Sequence, residues 1–146
     1  MIKEAYVYAE FENKTLFFFQ SEGQNGKITK SVLFSNLGNL VWNLGFGDFE
    51  DGEINDSIVS NNHDIIKVIS TVAKIAHDFS NEYPLRRIRI KPVDEKRRQL
   101  YNHVFRRNHE TISNNFQIIG RNGLKREIYR PDKYYQYFEL KRKLEQ

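Results

Sequence analysis

The sequence predicts an α+β domain, on three observations. Apolar residues near the amino terminus alternate with a period of two, two later stretches carry the helical period, and the chain closes on short aromatic-rich strands. With 146 residues, the chain reads as one domain, 1–146, long enough to bury about 68–70% of the surface its unfolded form exposes.

The first third reads as an antiparallel meander. In AYVYAEF, Ala5, Val7, Ala9 and Phe11 alternate with Tyr6, Tyr8 and Glu10, as in a strand with one buried face. Asn13 and Lys14 break the pattern before TLFFFQS, a run dense in β-formers. EGQNG supplies turn residues, KITKSVLFS a third strand, and NLVWNLGF a fourth. From Asn62 the period lengthens. Ile65, Val68, Ile69, Val72, Ile75, Ala76 and Phe79 fall at helical spacing, with Asn61 or Asn62 as N-cap and Asp64 suited to the positive helix end. After NEYP, LRRIRIKP predicts a strand anchored by Leu85, Ile88 and Ile90. A second helix is expected from about Asp94 to Glu110, its apolar stripe formed by Leu100, Tyr101, Val104 and Phe105. NFQIIG, REIYR and YYQYFELK are closing strands. The strand between the two helices is the one expected to pair in parallel, through a crossover that lays a helix on the sheet.

Composition narrows the chemistry. There is no cysteine, so no disulfide framework, thiolate zinc site or thiol nucleophile. No segment approaches 18 consecutive apolar residues, and the amino terminus lacks a long apolar core, so a soluble cytoplasmic protein is expected and no membrane partner. Charge is unevenly divided. Residues 1–80 hold 6 Lys and no Arg against 11 acids, whereas residues 81–146 hold 17 Lys and Arg against 8 acids. The second half is therefore a candidate for an anionic partner, nucleic acid included, unless the two halves neutralise each other on folding.

The acidic stretch FGDFEDGEINDSIVSNNHD, residues 46–64, invites a metal reading. It fails as a calcium loop, because placing Gly52 at the sixth position puts Gly47 where the first acidic ligand belongs. His63, His77, His103 and His109 show no zinc spacing. No metal site is expected, and the stretch reads as a solvated loop. Arg97 is sharper. It projects near the centre of the second helix's apolar arc, and a guanidinium on that side needs a carboxylate or a ligand anion. Asp48, Asp56 and Asp64 are its expected partners. A basic outer helix face is expected from Arg98, Asn102, Arg106 and His109, with Arg107 beside them, while Tyr134, Tyr135, Tyr137 and Phe138 are placed to stack bases.

Several stretches taken together resemble a family of small bacterial proteins known only as a domain of unknown function. The matching residues are Asn43, Leu44, Phe46, Gly47 and Asp48; Asp56; Asn62, Asp64, Lys67, Val68, Thr71 and Val72; and Arg97, Leu100 and Tyr101. Where that family often has a Gly-Ser-Thr segment before its arginine, this chain has Lys91, Pro92, Val93 and Asp94. The element order is also similar to the acyl-CoA N-acyltransferase (GNAT-like) fold, a single sheet with two helices. That resemblance implies a tyrosine at the place of Tyr101 that protonates a leaving thiolate, and a glycine-bearing turn before the first helix that holds the acetyl-CoA pyrophosphate. Here the turn is SNNHD, which lacks glycine and ends in an acid. The leading expectation is thus a non-catalytic binding or regulatory module without a cofactor, with ligand residues Asp48, Asp64, Arg97 and Tyr101. The alternatives are an N-acyltransferase using Tyr101, and an RNA- or DNA-binding protein using Arg98, Arg106, Arg107, Tyr135 and Tyr137. A protein partner or a second copy of the chain is also compatible with the sequence.

Overall fold

Both periods produce the elements they predict. The computed structural model describes residues 4–50, 53–55 and 64–144. In chain order these form β1 (Tyr8–Phe11), β2 (Leu16–Gly23), β3 (Gly26–Gly38), β4 (Val41–Glu50), β5 (Glu53–Asn55), α1 (Ile65–Glu82), β6 (Arg87–Ile90), α2 (Glu95–Ile112), β7 (Phe116–Asn122), β8 (Lys125–Ile128) and β9 (Tyr137–Arg142). The fold is α+β, with a mostly antiparallel sheet in the order β1-β2-β3-β4-β6-β9-β7-β8 and β5 paired to β4. The interhelix strand, β6, does pair in parallel, placing Val41 beside Arg87 and Asn43 beside Arg89.

The chain divides into two compact units, one of residues Ile2–Ser35 with Leu44–Glu82 and the other of Asn36–Asn43 with Tyr83–Gln146. In the first, α1 lies on the face of β2 and β3 that carries Phe17, Phe19, Val32 and Phe34, and Phe79 stacks on Phe34 at 3.9 Å between ring centres. Of the expected α1 stripe, Val68, Ile75, Ala76 and Phe79 are buried, but Ile65 is exposed. In the second unit, α2 packs over β7 and β9, where Phe105 stacks on Phe138 at 4.1 Å above Ile118 and Leu140.

Three expectations change. In AYVYAEF the other parity is buried: Val7 is 94% exposed, while Tyr6 and Tyr8 lie against Phe19 and Phe17. Tyrosine wins because its ring buries more apolar area than valine, and each hydroxyl finds a carboxylate, Asp64 or Asp78. Leu85 is no strand anchor, since it sits in the turn before β6 and is 64% exposed. Nor is the acidic stretch simply a loop. β4 runs on to Glu50 and pairs with β5, setting Asp48 beside Asn55. Asp56, Asn61, Asn62 and His63 lie outside the described residues.

The β3–β4 connection carries local strain. It has two residues, Asn39 at φ 52 and Leu40 at φ 64, the left-handed pair that suits a tight hairpin when asparagine and glycine occupy it. Asparagine tolerates that conformation, whereas leucine's Cβ crowds the next carbonyl. Leu40→Gly should therefore raise stability by about 1 kcal/mol in urea unfolding, and a loss would show that the exposed leucine side chain contributes more than its strain costs.

Candidate functional site

Of the four residues expected to bind ligand, Asp48, Asp64 and Arg97 meet partners within their own unit. Asp48 is buried on β4 and pairs with the equally buried Lys30 of β3 at 2.5 Å. Asp64 immediately precedes α1, and its carbonyl accepts the Val68 N–H. Its carboxylate accepts from the Tyr6 and Ser21 hydroxyls, each at 2.5 Å. Arg97 is buried as expected, but the carboxylate it meets is Asp94 at 2.5 Å. The reason is local. Asp94 is the N-cap of α2, so one oxygen accepts the Arg97 N–H and the other reaches its guanidinium. Tyr101 is half-buried on α2.

Of the residues expected to touch nucleic acid, some face inward. Tyr135 is only 1% exposed, its ring resting on Gly120, so it cannot offer a face to a base. Phe138 is fully buried. Asn102, expected on the outer face of α2, is 3% exposed and clamps the Tyr135 backbone, donating to its carbonyl and accepting its N–H, both at 2.8 Å. A helix wheel cannot reveal this, because asparagine sits there to satisfy a loop rather than water. Arg106 and Arg107 are exposed, and Arg98 is half-buried and paired with Glu95.

The alternation RRIRIK has the clearest consequence. Strand parity and register place Ile88, Ile118, Phe138 and Leu140 beneath α2. The same parity sends Arg87 and Arg89 of β6, Tyr137, Glu139 and Lys141 of β9, Gln117, Ile119 and Arg121 of β7, and Arg126 and Ile128 of β8 to the opposite face. Lys91 continues the pattern, its ammonium 5.6 Å from the Tyr137 ring centre. At the centre lies Glu139, 5% exposed, with Arg121 at 2.9 Å and Arg126 at 3.9 Å. Arg121 also lies 5.1 Å over the Tyr137 ring, and the Arg89 guanidinium donates twice to the Asn43 side-chain oxygen. Among the described residues of these strands, with Lys91 just after β6, six cations thus share a face with one carboxylate. Lys91, Gln117, Arg126, Ile128 and Lys141 are exposed, and Arg87, Arg89, Arg121 and Tyr137 half-buried. Sequence reading picks out the RRIRIK motif but not its partners, which come from three other strands.

Several tyrosines are held in their neutral form. Burial, then a hydrogen bond to Asp64, raises Tyr6, and burial with Asp78 raises Tyr8. Burial, then the hydrogen bond to Glu127, pushes Tyr135 up to about 12. A phenol that loses its proton near pH 10 when unfolded but higher when folded stabilises the fold fully below about 10. That contribution disappears as pH rises from 10 through the folded values. Absorbance at 295 nm should show these phenols ionising late and together with loss of circular dichroism; independent titration near pH 10 would contradict the buried pairs.

Among the described residues, no group of three or more His, Asp or Glu side chains is arranged to hold a metal ion, and no helix is long and apolar enough to cross a membrane. No curated protein and no solved structure matches the chain. The family model of DUF6934, a family of unknown function, matches residues 2–143, and the chain belongs to that family.

Proposed function

We propose that the protein is a non-catalytic binding module on an acyltransferase-like fold, and that its second unit takes a polyanionic partner. The observation that carries this reading is the outer sheet face, where Arg87, Arg89, Lys91, Arg121, Arg126 and Lys141 share a face with the single carboxylate of Glu139, which Arg121 and Arg126 approach. Cations concentrated on one face attract and orient anions in a way that the same charges dispersed would not. Support for the fold resemblance comes from the element order and from the parallel pairing of β6 with β4.

Asp64 argues against acyl-CoA chemistry. A pyrophosphate at the first turn of α1 would use the free N–H groups and the positive helix end. Here a carboxylate stands at that end, fixed by Tyr6 and Ser21. Calorimetric titration with acetyl-CoA to millimolar concentration should give no saturable heat, whereas heparin should bind with an affinity that falls as salt rises. Micromolar acetyl-CoA binding, with acyl transfer abolished in Tyr101→Phe, would replace this reading by an N-acyltransferase with Tyr101 as general acid. Failure to bind heparin at low salt would remove the polyanion site.

A further inference from the structure

We infer that the outer face of β6, β9, β7 and β8 binds a single-stranded nucleic acid, its phosphates meeting the cations and a base stacking on Tyr137. The inference rests on the polyanion reading and names its partner. Three features of the face go beyond positive charge. First, the cations are set on neighbouring strands rather than in one cluster: Arg87 and Arg89 alternate along β6 and Lys91 continues the alternation just past its end, Arg121 and Arg126 are cross-strand neighbours on β7 and β8, and Lys141 extends the row on β9. Strands lie about 4.8 Å apart, so this grid suits a chain with a charge on every unit. Second, an aromatic ring stands within the grid. Tyr137 is half-buried, with Lys91 and Arg121 over its ring, so the ring is already held in place, and a base stacks on it by displacing one of these two side chains toward a phosphate. Third, Gln117 lies exposed beside Lys141, adding neutral donors and acceptors. An acidic protein would use the cations but has no need of the ring.

A sheet face also selects the form of the nucleic acid. Bases of a duplex are already stacked on each other and turn their edges, not their faces, to a protein. A single strand splays its bases and lets one leave the solvent for the tyrosine. RNA and DNA share this chemistry, and parallel probes of the two tell them apart.

The test uses fluorescence anisotropy on the full chain with labelled oligouridine and oligodeoxythymidine of equal length, and with heparin as a polyanion that lacks bases. At low salt the protein should bind at least one oligonucleotide, and the tighter of the two identifies the source. Lys91→Glu/Lys141→Glu, both exposed, should weaken binding about 10-fold or more and flatten the salt dependence by about 0.7 in logarithmic slope for each phosphate that is no longer neutralised. Tyr137→Ala should weaken oligonucleotide binding about 10-fold and leave heparin binding unchanged, while Tyr137→Phe, which keeps the ring, binds more tightly than the alanine variant. Lys74→Glu on the exposed side of α1 controls for a charge reversal away from this face, and circular dichroism melts confirm that each variant folds. If heparin binds and depends on Lys91 and Lys141 but Tyr137→Ala changes nothing, the nucleic-acid assignment is overturned and the polyanion reading stands. If neither heparin nor oligonucleotide binds, both are overturned. Duplex DNA binding as tightly as a single strand likewise removes the stacking argument.

Discussion

Asp48→Asn should destabilise the protein by about 3–5 kcal/mol, read as a lower midpoint in urea unfolding. The side chain retains its size and loses only its charge, so the effect isolates electrostatics from packing. Lys30 and Asp48 have side chains 3% and 2% exposed. Neutralising the aspartate takes away the carboxylate that balances a buried ammonium beside Phe19, on the face that α1 covers. Removing the ammonium with Lys30→Met instead takes the opposite charge away from a buried carboxylate and should carry a similar penalty. The double variant Lys30→Met/Asp48→Leu should lose much less than the sum of its parts, since no buried charge remains and the replacements fill similar volume. Additive losses across the cycle would mean that water reaches the pair and that each charge is solvated separately.

Lys30 shows how much of the structure is legible from sequence. In KITKSVLF, Ile28, Lys30, Val32 and Phe34 share one parity, so the lysine stands in an apolar register and demands a buried counter-charge. The pattern states the demand but not the partner, because Asp48 reaches it through space from another strand. The same division holds elsewhere. Helical spacing identifies α1 and α2 because periodicity is local, and it puts Arg97 on the buried side correctly. It cannot choose Arg97's partner from distant acids, and the capping geometry of Asp94 supplies one only three residues away. The cationic face needs register as well as parity. Arg87 and Arg89 are visible as an alternation, but Arg121 faces Arg126 only because β7 and β8 pair with Asn122 against Lys125. Aromatic residues mislead for a related reason. Tyr134 and Tyr135 read as strand residues, yet β9 begins at Tyr137, so Tyr135 is free of the ladder and folds over Gly120.

Gly120→Ala should be the most damaging single-methyl change in the second unit, at about 3 kcal/mol, the upper part of the range for overpacking. A Cβ on Gly120 would lie 2.3 Å from Cε1 of Tyr135 and 2.5 Å from its Cδ1 and Cζ. These are ring atoms, and the ring has little room to yield. Asn102 holds the Tyr135 backbone on both sides, the Arg130 N–H donates to its hydroxyl at 3.1 Å, and that hydroxyl donates to Glu127 at 2.6 Å. The methyl must therefore distort β7 or expel the ring, and the two outcomes can be separated. If the ring is expelled, Tyr135 loses its burial and its hydrogen bond to Glu127, and its phenol falls from about 12 toward the ordinary value near 10, which absorbance at 295 nm detects. If β7 yields instead, the phenol keeps its raised value, and the distortion passes to Arg121, next in the strand, and so to its pairing with Glu139. In either case Tyr135→Ala removes the atoms in conflict, so adding Gly120→Ala to it should cost little more. A Gly120→Ala protein as stable as the parent, with its tyrosine titration unchanged, would mean that the ring does not rest on this glycine in solution.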